Sequence, residues 1–86
     1  MRTNFNQLSE EVYRFEKKAG FEKTSKKQLI KWIKNELLNY EISKNKIVKS
    51  NKLIDILILV LQISRREKIS LDSSWKKWWQ KSKKYI

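Results

Sequence analysis

Eighty-six residues with 40% hydrophobic and 35% charged side chains, no proline and one glycine exclude a disordered tail and a turn-rich β fold, and describe one small helical domain. The absence of Cys and His removes disulfides, thiol nucleophiles, imidazole bases and most zinc sites, leaving carboxylates as the metal ligands. Lys and Arg outnumber Asp and Glu by 21 to 9, and the net +12 favours phosphate-bearing partners, although lysines spread over every segment are also what general solvation gives.

A first helix is predicted from about Asn6 to Ala19. Phe5, Leu8, Val12, Phe15 and Ala19 follow the 3-4-3-4 spacing of one buried stripe, while Glu10, Glu11, Glu16, Lys17 and Lys18 point mainly outward. Thr3, Asn4 or Asn6 can cap its start, and Gly20 is the expected left-handed residue at its end. Thr24 and Ser25 open a second helix, where Ser25-Lys-Lys-Gln28 has capping-box spacing. Its apolar face holds Leu29, Trp32, Ile33, Leu37 and Tyr40. On the helical wheel Glu36 falls in the middle of that face, with Asn39 beside Trp32. A carboxylate there is costly unless it is paired, hydrogen-bonded, metal-bound or at the stripe's edge.

Glu41 to Ser50 is polar and reads as a loop or frayed lead, with Ser50 the N-cap candidate for the next helix. Leu53 to Ile63 follows, with nine aliphatic residues in eleven and only Asp55 and Gln62 polar. Such a run is long for a strand, which is the competing reading, and too short for a spanning helix, which wants roughly 20 apolar residues. A helix apolar all round needs neighbours on every side. Asp55 and Gln62 share one line with Lys52 and Arg66, so a narrow polar seam either lines a site or serves the helix ends. After a short turn over Arg65 to Ile69, Ser70 or Asp72 caps a final helix with Leu71, Trp75, Trp78 and Ile86 on its apolar side. Lys76, Lys77, Lys81, Lys83 and Lys84 follow with no further acid. Trp75 and Trp78 read as core, whereas Trp79 fits the spacing least well and is the candidate for an interface or a ligand.

Three stretches together resemble the MazG-like all-α nucleotide pyrophosphohydrolases: Leu8-Ser-Glu-Glu-Val-Tyr-Arg-Phe15, the helix around Glu36-Leu-Leu-Asn39, and Lys52 to Ile63 followed by Ile69-Ser-Leu-Asp72 and Lys81-Ser-Lys-Lys-Tyr85. The resemblance implies an all-α, four-helix bundle completed by homodimerisation. It also implies Mg²⁺ held by a Glu-x-x-Glu pair on one helix and a Glu-x-x-Asp pair on the next, so that a nucleoside triphosphate is split into monophosphate and pyrophosphate. Glu36 matches the first position and Asp55 the last, as catalytic residues and metal ligands. Asn39 and Lys52 stand where the other two acids belong. An amide ligates weakly, and an ammonium repels Mg²⁺ but can contact a phosphate or pair with a carboxylate.

The expectation is therefore a degenerate metal site with weak or lost catalysis, and nucleotide or phosphate binding through Asn39, Lys52, Gln62, Arg66 and Trp79. The alternatives are a small basic nucleic-acid-binding protein using Trp79 and the terminal lysines, and a protein-interaction module of a mobile element. Independently of the resemblance, a domain of this size buries only ~60–65% of its unfolded surface and gains much from oligomerising. The polar start after Met1, unlike a signal peptide, leads to the expectation of a cytoplasmic chain with no membrane span.

Overall fold

The aliphatic run is helical. The computed structural model describes residues 4–85 and folds them as α1 (Phe5–Ala19), α2 (Lys26–Ile42), α3 (Lys46–Arg66) and α4 (Leu71–Ser82), closed by a single 3₁₀ turn at Lys83–Tyr85. No strand occurs among the described residues, so the strand reading of Leu53 to Ile63 falls. Ile86 and the proposed Thr3 cap lie outside the described residues. No described helix is long and apolar enough to cross a membrane.

α2 and α3 form an antiparallel hairpin joined by residues 43–45. Three electrostatic contacts fix its register: Lys26 to Glu67 at 2.7 Å at the open end, Lys52 to Glu36 at 3.2 Å in the middle, and the Lys49 ammonium 5.3 Å from the Tyr40 ring centre near the closed end. α1 lies across the other side of α3, on its C-terminal half. There the Ser9 hydroxyl lies 3.2 Å from the Leu61 carbonyl and 3.0 Å from the Ser64 hydroxyl, and Glu10 pairs with Arg65. α3 is thus held between α2 and α1. Among the described residues, Leu29 of α2 and Leu59 and Leu61 of α3 are the buried apolar ones.

Local chemistry accounts for the helix ends. Ser25 accepts from the Gln28 N–H and Ser70 from the Ser73 N–H, as their spacing predicts. Gly20 ends α1 at φ 80°, and its neighbour Phe21 returns an N–H to the Glu16 carbonyl at 2.8 Å. α3, however, starts before Ser50. The Asn45 side chain accepts from the Ile47 and Val48 N–H groups at 2.8 and 3.2 Å, so most of the expected loop is helix. After α3, Lys68 takes the left-handed position at φ 56° that glycine usually fills.

α1 departs from its sequence reading in rotation. Glu16, expected to face water, is fully buried and Ser9 is buried, while Leu8, Phe15 and Ala19 of the apolar stripe are exposed. At about 100° per residue the inward face is centred between Ser9, Val12 and Glu16, a turn of some 40–60° from the apolar stripe. The cause sits opposite. α3 presents Ser64, Arg65 and Arg66 there, and these take polar partners rather than leucines.

The start of α1 is capped from α4. Asn4 makes no side-chain cap bond; instead Asp72 accepts from the N–H groups of Phe5 at 2.8 Å and Asn6 at 3.3 Å. Asn6 answers by donating to the Ser70 hydroxyl at 2.9 Å. One carboxylate therefore meets the positive ends of two helices. Asp72→Ala is expected to lower stability by about 1–2 kcal/mol, readable as a shifted urea midpoint, because it leaves two helix-end donors without their acceptor. An unchanged midpoint would mean that the cap contributes nothing.

The apolar helix does not find neighbours on every side. Leu53, Ile54, Leu57 and Val60 of α3 are between 38% and 55% exposed, and Ile42 and Ile47 at the hairpin's closed end exceed 70%. α1 reaches only the C-terminal half of α3, and among the described residues nothing covers this side of the other half.

Candidate functional site

The facing helices of the hairpin bring Glu36 and Lys52 together. Glu36 is half-buried among Leu29, Ile33 and Tyr40 on the inner face of α2, and Lys52 occupies the matching position one helix over. The side chains keep 21% and 26% of their exposure, so the pair is partly shielded from water. The contact is an ion pair without the angles of a directed hydrogen bond, and the ammonium donates to no other described residue. The carboxylate in an apolar stripe thus has an ordinary explanation: a lysine neutralises it.

Asp55 is one turn further along α3 and is exposed, with no hydrogen bond or ion pair to any described residue. Of the two carboxylates that the resemblance brings to one site, only Glu36 is drawn inward. The reason is rotational: at about 100° per residue Asp55 lies on the opposite side of α3 from Ser64 and some 120° from Leu61, the residues that α1 packs against. Asn39, on the face of α2 that Glu36 shares, is also exposed. No group of three or more acidic side chains able to hold a metal ion occurs among the described residues. Of the two proposed metal ligands, Glu36 is paired with an ammonium that would repel a divalent cation, and Asp55 makes no ion pair with that ammonium.

Of the other expected site residues, Gln62 is buried at 8% exposure, and its side-chain oxygen has no hydrogen-bond partner among the described residues. Arg66 is engaged elsewhere. Its guanidinium donates to the Glu16 carboxylate at 2.6 Å and to the Phe21 carbonyl at 3.0 Å, and it lies about 21 Å along the helix axis from Lys52 at 1.5 Å per residue. One small ligand therefore does not engage Lys52 and Arg66 together. Trp79 belongs to a stacked trio on α4, its ring 6.5 Å from Trp75 and nearly parallel to it, and it is half-buried. Trp78, expected in the core, is the exposed member at 52%. Trp75, whose ring meets that of Phe5 edge-on at 5.7 Å, is half-buried like Trp79.

Sequence reasoning missed the second polar cluster of the molecule, Glu16 with Arg66 and Glu10 with Arg65. Arg65 also lies 4.2 Å from the centre of the Tyr13 ring. Its only signal is that Ser9 and Glu16 fall on one helical line, which reads as a wet flank until α3 is laid against it. Comparison with models of known protein families, with curated proteins and with solved structures finds no match to the chain.

Proposed function

We propose that this chain is a helical protein of MazG-like design in which an ammonium stands in the cation's place. It binds a nucleotide or another phosphate ligand, and its pyrophosphohydrolase activity is weak or lost. The observation that carries this reading is the Glu36–Lys52 ion pair, with Lys52 at the third of the four positions where the resemblance expects acids. An ammonium carries three donors and no acceptor. Lys52 is held by charge attraction to Glu36, and its donors are free to meet phosphate oxygens. Asn39 and the exposed Asp55 stand within a turn of the pair and can bond to a sugar hydroxyl or a base amine. The resemblance also brings Mg²⁺, but a carboxylate already paired with a lysine does not suit it.

Calorimetric titration with a panel of nucleoside triphosphates tests the binding. Lys52→Gln is expected to weaken it at least tenfold, whereas Lys76→Gln, which removes the same charge from α4, leaves it within about twofold. Equal losses in the two variants would reduce the interaction to general attraction by a +12 chain.

A further inference from the structure

A polar cavity of about 340 Å³ opens between the start of α1 and the turn from α3 to α4. Arg65, which lines it, is about 20 Å along the helix axis from Lys52 at 1.5 Å per residue, so the cavity is separate from the hairpin site. The way α3 ends shapes one side of it. The Lys68 N–H returns to the Arg65 carbonyl at 3.3 Å and the Ile69 N–H to the Ser64 carbonyl at 2.9 Å, a pairing that needs a left-handed residue at position 68. Lys68 fills that place at φ 56°, where glycine would be free of strain. This residue costs stability and brings an ammonium to the cavity, and it makes no ion pair with any described residue. Arg65 is held by the chain itself: Glu10 pairs with its Nε, the Tyr13 ring centre lies 4.2 Å from its guanidinium carbon, and its terminal nitrogens donate to no described residue.

We infer that this cavity binds a small phosphomonoester that carries free hydroxyls, the chemistry of a sugar or polyol phosphate. Charge sets the anionic part. The lining holds Arg65, Lys68 and Glu10, and since Arg65 neutralises Glu10, the ammonium of Lys68 is left uncompensated. That balance suits one phosphate group and not a chain of them. Arginine supplies a fork of donors already fixed in position, which lowers the ordering cost of binding. The Ser70 oxygen accepts from the Asn6 amide at 2.9 Å and from the Ser73 N–H at 3.2 Å, so its own proton is free to meet a phosphate oxygen. The hydroxyls of the ligand answer to a second set of atoms. Ser64 donates to the Leu61 carbonyl at 2.9 Å, and the buried Ser9 hydroxyl lies 3.2 Å from that carbonyl and 3.0 Å from the Ser64 oxygen. Both protons are committed, and both oxygens keep a lone pair that accepts from a ligand hydroxyl. The volume, at the low end of the ~300–1,000 Å³ of ligand pockets, limits the ligand to a small one.

Titration with ribose 5-phosphate, followed through the backbone amide signals in NMR, tests the site. Saturating shifts are expected at Ser64, Ile69 and Ser70, with Glu36 and Lys52 unmoved, and inorganic phosphate or ribose alone should bind more weakly. Lys68→Gly removes the ammonium and relieves the left-handed strain together, so it should melt no lower than the unaltered protein while binding at least tenfold more weakly. Lys76→Gln, which removes the same charge from α4, should stay within about twofold. No saturable shift at millimolar ribose 5-phosphate would overturn the proposal, as would equal losses in the two variants or shifts centred on Lys52. Inorganic phosphate binding as tightly as the sugar phosphate would overturn the assigned ligand class. None of these results depends on whether Lys52 binds a nucleoside triphosphate, so the two readings fail separately.

Discussion

Glu16→Ala is expected to be among the most damaging single changes in the molecule, lowering stability by about 3–5 kcal/mol. Glu16 has no solvent exposure and Arg66 keeps 15% of its side-chain exposure, so alanine would strand a guanidinium beside α1 with only the Phe21 carbonyl as acceptor. A domain of this length has roughly 4–13 kcal/mol in total, and the loss would appear as a fall in melting temperature of ten degrees or more. The pair is costly to break without being the best filling for its site, since desolvating two charges offsets much of their attraction. Replacing both, as Glu16→Leu with Arg66→Met, is therefore expected to recover most of the loss. Thermal melts of the single and double variants decide this. A single variant that melts with the unaltered protein would show that Glu16 contributes little to the packing of α1 on α3.

A second large effect is expected from rebuilding the acids that the resemblance calls for. Residues three apart share a helix face, so Asn39→Glu places a second carboxylate beside Glu36, and Lys52→Glu replaces the ammonium with another beside Asp55. Four carboxylates on facing helices repel one another without a cation and suit a hard divalent ion. The doubly substituted protein is expected to melt lower than the unaltered chain in chelator and to rise by ten degrees or more in excess Mn²⁺. That rise corresponds to the ~2.7 kcal/mol gained at a metal concentration one hundred times the dissociation constant. The unaltered chain is expected to show no such rise. If the double variant also ignores the metal, the two helix faces do not converge as the hairpin register implies.

The parts of this fold that were legible in the sequence are those written in neighbouring residues. Ser25 with Gln28, Ser70 with Ser73, and Gly20 each fix a helix end through atoms a few positions apart. The helical state of Leu53 to Ile63 followed from its length and lack of turn residues. What escaped depended on the opposite helix. The rotation of α1 is set by the two arginines at the end of α3, and no pattern inside residues 5–19 announces that Glu16 is inward and Phe15 outward. The early start of α3 was hidden because a single asparagine at position 45 supplies the cap within a lysine-rich stretch. At the candidate site, the wheel placed Glu36 on the inner face of α2, and its partner came from the hairpin register, which chose Lys52 among many lysines. Asp55 is left exposed because α1 packs on the other side of α3, a choice that local periodicity does not encode.

The most direct measurement is the metal dependence of nucleotide binding, read by calorimetry with one nucleoside triphosphate in chelator and again in excess Mg²⁺. With Lys52 supplying the positive charge at the site, binding is expected in chelator and should weaken or stay level when Mg²⁺ is added. Binding that appears only with Mg²⁺ would contradict that role for Lys52 and return the site to the two carboxylates.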